Sequence, residues 1–172
     1  VPFRALRLGY PEKVECSVTG VWTGFFEEAD YHESCPPSSK VHIQFPGRAA
    51  LPAVEMIWYD GGILPKRPIE LLPDEPMGEI DGGIIFEGSK GKLMAGLFGR
   101  NPTLLPTRNM NEAALPKADR PLVPGGWDGH QAQWTTACKK GWGAYTSSPF
   151  SMAGPLTETV LMGNLATRSY ML

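Results

Sequence analysis

One short stretch of the sequence combines the residue types that bind sugars. Residues 59–62 read Tyr-Asp-Gly-Gly, and residues 65–68 read Pro-Lys-Arg-Pro. An aromatic ring can stack on a sugar, while a carboxylate and cationic side chains can form paired hydrogen bonds with its hydroxyl groups. The stretch predicts a site for a polyhydroxylated ligand, and the alternative is a rigid structural loop whose charges are solvated. The candidate substrate-binding residues are Tyr59, Asp60, Lys66 and Arg67.

A histidine in the last third of the chain is the fifth candidate. His130 follows a long irregular segment and lies where a helix is expected to open. Its imidazole changes protonation near neutral pH and can donate or accept a hydrogen bond. His130 is therefore a candidate substrate contact, and a capping or surface role is the alternative.

Other spacings in the sequence resemble ligand motifs without completing one. His32 and Cys35 are spaced like two metal ligands, but zinc requires three or four and no second pair stands at a usable spacing. The turn at 88–92 has two residues between its glycines, where a phosphate-binding loop has four. No Gly-x-Gly-x-x-Gly follows a strand, so the chain has no dinucleotide-binding fingerprint of its own. The sequence thus assigns this chain no metal site, no cofactor-binding residue and no catalytic residue.

Length and composition narrow the class of protein. A length of 172 residues suits a single domain, 1–172, with 42% hydrophobic and 20% charged residues, which is ordinary for a globular protein. The formal net charge of −2 gives no electrostatic reason to expect nucleic acid or an anionic membrane as a partner. No apolar run reaches the roughly 18 residues needed to span a bilayer.

The three cysteines, Cys16, Cys35 and Cys138, are too few for a disulfide scaffold. We expect three reduced thiols, two of them buried, in preference to one disulfide with a spare thiol. The cysteine pattern does not fix the redox compartment.

Alternating apolar residues predict strands in the first hundred residues. The segments 12–19 and 40–46 each place apolar side chains on one face, and the segment 53–59 is rich in aromatic and β-branched residues. The segments 83–87 and 92–98 are apolar runs joined by a Gly-rich turn, which is typical of a β-hairpin. Because short turns link most of these strands, the sheet is expected to be largely antiparallel. Residues 20–39 are interpreted as a turn or short helix followed by a loop.

The last third of the chain has the pattern of helices. Residues 128–140 carry a helical period behind Asp128, which could cap the helix start. Residues 154–170 open with Gly-Pro and carry an apolar stripe, and a glycine in that stripe, Gly163, indicates close packing. The long irregular segments 60–82 and 99–127 are expected to meet a partner domain, a substrate or another subunit.

These elements predict an α+β domain with an open, mostly antiparallel sheet. Both helices are expected to pack on one face of that sheet. Exposed apolar residues are expected on the opposite face, where they would pair between subunits.

Short motifs along the chain match, in order, the pattern of one enzyme family. They are Leu8-Gly9-Tyr10-Pro11 with Val14-Glu15-Cys16-Ser17, the segment Val54 to Gly62, Pro65-Lys66-Arg67-Pro68, the segment Gly88 to Leu93, Trp134 to Lys139, Thr146-Ser147-Ser148, the segment Ala153 to Glu158, and Gly163-Asn164-Leu165. This series resembles the C-terminal region of the Gfo/Idh/MocA oxidoreductase family, in the group abundant in Bacteroidetes and Planctomycetes. The resemblance covers nearly the whole chain and is weakest at 99–127.

The resemblance implies a fold and a role. Members of the family join an N-terminal Rossmann domain, which binds NAD or NADP, to a C-terminal α/β domain of the dihydrodipicolinate-reductase type. The open sheet of that second domain commonly mediates dimers or tetramers, while its inner side closes over a sugar. The implied partners of this chain are the Rossmann domain, a small sugar, inositol or related polyol, and further copies of the chain bound through the sheet.

Three family features are absent from the 172 residues. These are the Rossmann fingerprint, the Glu-Lys-Pro motif with its catalytic lysine, and the Gly-Asp-x-x-x-His helix that precedes the segment Leu-Gly-Tyr-Pro. The chain is therefore expected to begin after that helix and to end before the last strand of the family. Hydride transfer needs a bound cofactor and an acid–base group within hydrogen-bond reach. We expect this fragment alone to be inactive and its parent to be an NAD(P)-dependent dehydrogenase.

Two other functions fit the same resemblance. Some relatives hydrolyse glycosides through transient oxidation by a tightly held NAD, an exception to the two-carboxylate scheme. A non-catalytic module for oligomerisation or carbohydrate binding is the other alternative, since one fold hosts many functions. The sequence leaves open whether the parent resides in the cytoplasm or the periplasm.

Overall fold

The structure is a computed structural model, and it describes residues 1–30, 33–111, 113–114, 116–117 and 123–171. Its elements, in chain order, are helix α1 (Pro2–Ala5), strands β1 (Lys13–Val18), β2 (Trp22–Gly24), β3 (Glu27–Glu28), β4 (Ser39–Phe45), β5 (Val54–Tyr59), β6 (Gly83–Gly88), β7 (Gly91–Gly96) and β8 (Thr103–Leu105), and helices α2 (Gly126–Lys140) and α3 (Phe150–Met171). Two short 3₁₀ turns, Leu97–Gly99 and Thr107–Asn111, flank β8.

Strand β4 is the centre of the main sheet. Strands β1 and β5 pair with it in antiparallel fashion on either side, so that Ile43 lies opposite both Val14 and Met56. Side chains alternate along β4, and Val41, Ile43 and Phe45 are buried while the residues between them are half-buried. The strands predicted at 12–19, 40–46 and 53–59 are confirmed, because a one-sided apolar pattern fixes both the strand and its face.

Helix α3 and the N-terminal segment cover the apolar face of this sheet. Helix α3 packs on β1 and β4, and a methyl group added at Gly163 would lie 3.6 Å from Val41 Cγ1. Gly163 is buried against the sheet, but 3.6 Å is an ordinary van der Waals distance, so the packing there does not require glycine and the expectation of close packing is not confirmed. From the other end of the chain, the ring of Phe3 meets that of Phe45 edge-on at 6.5 Å, and Leu8 is buried beside them.

The opposite face of the main sheet is polar. It carries the ion pair Lys13 Nζ–Glu15 Oε1 at 2.7 Å, the contact His42 Nδ1–Glu55 Oε1 at 2.9 Å, and Lys40 Nζ at 5.5 Å from the ring centroid of Tyr59. The expectation that this face would be apolar is wrong. The alternation that buries Val14, Val41 and Ile43 on one face places the intervening polar residues on the other.

A second antiparallel sheet is formed by β6, β7 and β8. The turn Ser89-Lys90 joins β6 to β7, which confirms the hairpin predicted from 83–87 and 92–98. The Glu79 carboxylate accepts a hydrogen bond from Leu97 N at 3.1 Å and pairs with Arg100 Nη2 at 3.0 Å. These contacts fix the chain as it leaves β7, in a region where the sequence has no clear period.

Residues 20–39 contain a hairpin that the sequence interpretation missed. Strands β2 and β3 pair with each other in antiparallel fashion around the turn Phe25-Phe26. Two strands of three and two residues are too short to show an alternating pattern. The β2–β3 pair is a sheet of its own and is not part of the main sheet.

Both predicted helices exist, but their starts and their packing differ from expectation. Helix α2 begins at Gly126, so Asp128 lies in its first turn and is not the cap. Helix α3 begins at Phe150, which places Pro155 inside the helix and not at its first position. Helix α3 packs on the main sheet, whereas α2 lies against the segments 123–124 and 144–145. The expectation that both helices cover the sheet is confirmed for α3 and wrong for α2.

None of the three cysteines is in a disulfide bond. Cys16 is half-buried and its Sγ lies 3.3 Å from Thr167 Oγ1 on α3. Cys35 and Cys138 are exposed, so the expectation of two buried thiols is wrong.

The chain is thus an α+β protein with open, antiparallel sheets and few helices. Its accessible surface is 13137 Å² at a mass of 18.8 kDa. A compact monomer of that mass exposes roughly 8,300 Å². Many large apolar side chains contribute to the difference, among them Leu161 and Leu165 on the side of α3 that faces away from the sheet. No helix among the described residues is both long and apolar enough to cross a membrane.

Candidate functional site

The Asp60 carboxylate lies at the end of β5 and is bound by residues of the same sheet. Its Oδ1 accepts from Ser39 N at 2.5 Å, and its Oδ2 accepts from Ser39 Oγ at 2.8 Å and from Trp58 Nε1 at 3.1 Å. The backbone closes the same contact, because Asp60 N donates to Ser39 O at 3.1 Å. A carboxylate has about four acceptor sites, so about one remains for a ligand. Asp60 therefore has a structural role that holds the strand end in place.

Two aromatic residues precede Asp60, and they lie on opposite faces of the sheet. Tyr59 lies on the polar face, where Lys40 approaches its ring. Trp58 lies on the other face, donates its indole proton to Asp60, and remains 61% exposed. The candidate site predicted from the sequence paired Tyr59 with Asp60 and did not include Trp58. The alternation of side chains along a strand was the signal that could have identified Trp58, because residues 58 and 60 share a face.

The predicted cations Lys66 and Arg67 lie in the loop after β5. Lys66 is exposed. Arg67 turns back onto its own loop, where Nη2 donates to the carbonyl oxygens of Leu72 and, at 2.6 Å, of Glu75. The guanidinium has five N–H donors, so three remain available to a ligand.

Glu75 completes this loop and links it to the turn after β8. Its Oε2 accepts from Leu72 N at 2.8 Å, and its Oε1 accepts from the hydroxyl of Thr107. The hydrogen bond from Thr107 holds the pKa of Glu75 below its ordinary value, and the bond from the Leu72 amide and the charge of Arg67 add to the effect. The carboxylate form of Glu75 is thus the form that stabilises the loop.

Replacing Thr107 with Val is expected to raise the pKa of Glu75 towards its ordinary value of 4.5. Because the folded pKa is lowered, the carboxylate stabilises the fold above the unfolded pKa, and this stabilisation is lost as the pH falls through the folded pKa. A titration of the side-chain carboxyl carbons by NMR measures the shift. Thr157→Val is the matched control, because the Thr157 hydroxyl bonds only to its own helix, at Ala153 O. An unchanged Glu75 titration in the Thr107 variant would contradict the assignment.

His130 belongs to a different hydrogen-bond group, formed by α2 and the segment before α3. Its Nδ1 lies 3.4 Å from Ser147 Oγ, and Ser147 donates from both its hydroxyl and its amide to Gln133 Oε1 at 2.7 Å. Arg4 Nη1 from the N-terminal segment donates to Ser147 O at 2.9 Å. Because the single Ser147 hydroxyl proton points to Gln133, His130 is placed to donate to Ser147 and not to deprotonate it. The group fixes the start of α3 to α2.

The structure thus distributes the five predicted residues over three local groups. Tyr59 and Asp60 end β5, Lys66 and Arg67 lie in the following loop, and His130 lies on α2. Asp60, Arg67 and His130 each have hydrogen bonds that stabilise their own group. Their contact with a substrate stays a prediction.

The spacing of His32 and Cys35 resembles that of two metal ligands. His32 lies outside the described residues. Among the residues that the structure describes, no group of three or more His, Cys, Asp or Glu side chains is arranged to hold a metal ion.

No model of a known protein family matches the chain, and no curated protein matches its sequence.

Proposed function

We propose that this chain is the substrate-side and assembly portion of an NAD(P)-dependent oxidoreductase of the Gfo/Idh/MocA type that acts on a sugar, inositol or related polyol. The order of short motifs from Leu8 to Leu165 supports the proposal, as does the coarse α+β architecture with an open antiparallel sheet. In this proposal the fold is that of the dihydrodipicolinate-reductase-like domain of a two-domain dehydrogenase.

The observation that carries the proposal is the exposed indole of Trp58 held in place by Asp60. A sugar has an apolar face of C–H groups and a rim of hydroxyls, so it suits an aromatic ring beside charged groups. The hydrogen bond at 3.1 Å fixes the indole in one orientation before a ligand arrives. Lys66 in the following loop is exposed and can donate to a hydroxyl.

The cofactor, NAD or NADP, would be bound by a separate Rossmann domain. The residues of this chain do not fit a dinucleotide in the usual way, because no Gly-x-Gly-x-x-Gly turn follows any strand. When bound, the nicotinamide would supply hydride transfer. The role of this chain would be to bind and orient the sugar, and the isolated chain would be inactive.

Assembly through the main sheet is the second part of the proposal. The face of that sheet that carries Lys13, Lys40, His42 and Glu55 is polar, so a homo-oligomer formed there would rely on paired charges. The Rossmann domain would instead cover apolar surface such as the outer side of α3, where Val160, Leu161 and Leu165 are exposed.

The test is turnover of a panel of sugars with NAD(P)H detection, made side by side with the 172-residue chain and with a polypeptide that joins it to a Rossmann domain. Activity in the joined form alone supports the proposal, and the active sugars name the substrate. Turnover by the chain itself contradicts it. Glycoside hydrolysis with retained NAD would favour the hydrolase alternative, and stable oligomers without sugar binding would favour a non-catalytic module.

In the active joined polypeptide, Trp58→Ala is expected to raise KM about tenfold, because it removes the stacking surface. Trp142→Ala is the matched control. Trp142 is fully exposed, like much of Trp58, but it lies in the turn after α2 and away from β5 in the sequence. Steady-state kinetics on both variants measure the difference. Equal KM values for the two variants would show that Trp58 does not contact the sugar.

A further inference from the structure

The hairpin of β2 and β3 carries large aromatic side chains into solvent. We call residues 21–29 the aromatic arm. Phe25 and Phe26 at its tip are 93% and 83% exposed, and Trp22 on β2 is exposed as well. The arm packs on no other element to a comparable extent among the described residues. A two-stranded hairpin is marginally stable by itself in water, so an arm of this kind is expected to be covered by a partner.

The turn at the tip of the arm is unusual for a hairpin. Two-residue hairpin turns favour Asn-Gly and similar pairs, whereas here the pair is Phe25-Phe26. Phe26 adopts a left-handed backbone conformation with φ of 59°, which is uncommon for a bulky residue. The two rings contact each other at 4.4 Å between centroids. A strained turn that presents two apolar rings is better explained by binding than by local stability.

A groove beside α2 has the complementary character. We call it the α2 groove, and it has a volume of about 400 Å³. Its walls include Val123, Pro124, Ala132, Ala137, Ala144 and Tyr145. Lys140 lines its edge, and the adjacent Lys139 is exposed. The groove is therefore mostly apolar inside, with Gln133 and Thr136 as polar side chains in its lining, and basic at the end of α2.

Charge and surface area both favour a second copy of this chain as the partner. The arm carries Glu27 and Glu28 directly after its aromatic tip, opposite in sign to Lys139 and Lys140 at the groove. We infer that the aromatic arm of one molecule docks in the α2 groove of a second copy, and that the second arm docks reciprocally. If each arm occupies the groove of the other molecule, the contact is the same from both sides, so it closes a two-fold dimer and does not continue into a filament.

The area that two arms can bury is sufficient for a dimer. A buried aromatic side chain contributes about 150–250 Å². Three aromatic residues on each of two arms therefore offer on the order of 1,000 Å², which is the size expected of a specific interface. This dimer is separate from the proposed oligomer through the main sheet and goes beyond the proposed function.

Sedimentation equilibrium of the 172-residue chain over a concentration series tests the inference. A dimer is expected, and Phe25→Ser with Phe26→Ser is expected to raise its Kd about 30-fold or more. Phe150→Ser is the matched control, because Phe150 is equally exposed but lies at the start of α3. Circular dichroism checks that each variant keeps its fold.

Charge reversal provides the sharper test. Glu27→Lys with Glu28→Lys, and separately Lys139→Glu with Lys140→Glu, are each expected to raise Kd about tenfold. Combining the four substitutions is expected to restore the dimer. A chain that is monomeric at every concentration overturns the inference, and so does a failure of the combined variant to recover. An assembly of the same size in the unmodified chain and in the Phe25/Phe26 variant also overturns it and would indicate assembly through another face, such as the main sheet. If both surfaces assemble, the unmodified chain is larger than a dimer and the variant stops at the dimer.

Discussion

Replacing Gly61 with Ala is expected to destabilise the chain by roughly 3 kcal/mol or more, which would be among the largest effects of any single methyl group in this protein. Gly61 has φ of 59°, in the left-handed region. A Cβ built there would lie 2.1 Å from Pro37 O and 2.3 Å from Ser38 Cβ. Backbone strain and a steric clash therefore act together at this position.

The surroundings of Gly61 leave little room to relieve that clash. Asp60 is tied to Ser39 by its carboxylate and by its amide, so the strand end and the segment before β4 cannot separate without loss of these bonds. Thr19 Oγ1 bonds Ser38 from the other side, at 3.0 Å from Ser38 Oγ. The prediction is therefore a loss of the strand end, including the position of Trp58.

Gly62→Ala is the control for Gly61→Ala. Gly62 also has a positive φ, of 89°, but a Cβ there would meet nothing within 4 Å. Replacing Gly62 should lower the free energy of unfolding by only about 1 kcal/mol, because a residue with a side chain is disfavoured at a positive φ. Urea unfolding of both variants measures the difference. Equal decreases in the free energy of unfolding would show that the close approach of Gly61 to Pro37 and Ser38 is not maintained in solution.

The strands that the sequence predicted are those with a long one-sided pattern. Strands β1, β4 and β5 alternate over six or seven residues, and β6 and β7 flank a glycine-bounded turn. The β2–β3 hairpin has no such pattern because its strands are too short. Burial on one face specifies a strand strongly, whereas a short hairpin depends on its turn and its partners.

The start of α3 shows how two prolines compete as helix signals. Pro149 and Pro155 both suit a helix start, and the predicted helix opened at the second. The structure uses the first, because Met152 N and Ala153 N both donate to Pro149 O at 2.9 Å. Pro155 is then accommodated inside the helix, and its carbonyl accepts from the Thr159 hydroxyl at 2.9 Å.

The site residues were predictable by type but not by orientation. The stretch 59–67 does contain an aromatic, a carboxylate and cations at one strand end. The contact between Ser39 and Asp60 depends on the register in which β4 pairs with β5. The residue pattern of the sequence does not specify that register. Arg67 reaches Glu75 through a loop without a regular period. The position of Trp58, and not Tyr59, on the same face as Asp60 could have been predicted beforehand from the alternation along β5.

Replacing Phe45 with Ala is expected to destabilise the chain by about 4 kcal/mol. Phe45 is 1% exposed and contacts Phe3 edge-on, in a core cluster that also includes Leu8 and Ile43. The loss removes a large apolar side chain and leaves a cavity between the sheet and the segments that pack on its apolar face, which these segments cannot close fully. Because whole domains are stable by only about 5–15 kcal/mol, a chain with so small a core is expected to unfold substantially.

The consequence of Phe45→Ala should reach the candidate sugar site, because Phe45 pairs with Val54 at the other end of the β5 strand that carries Trp58. Phe150→Ala is the control, as Phe150 is 91% exposed and its removal leaves no cavity. Thermal unfolding gives the stability of both variants, and the near-ultraviolet circular dichroism of Trp58 in a variant without the other tryptophans reports the strand end. A Phe45 variant as stable as the Phe150 variant would mean that the main sheet is held by contacts outside this core, and the apolar surface of α3 would then be the first place to look for them.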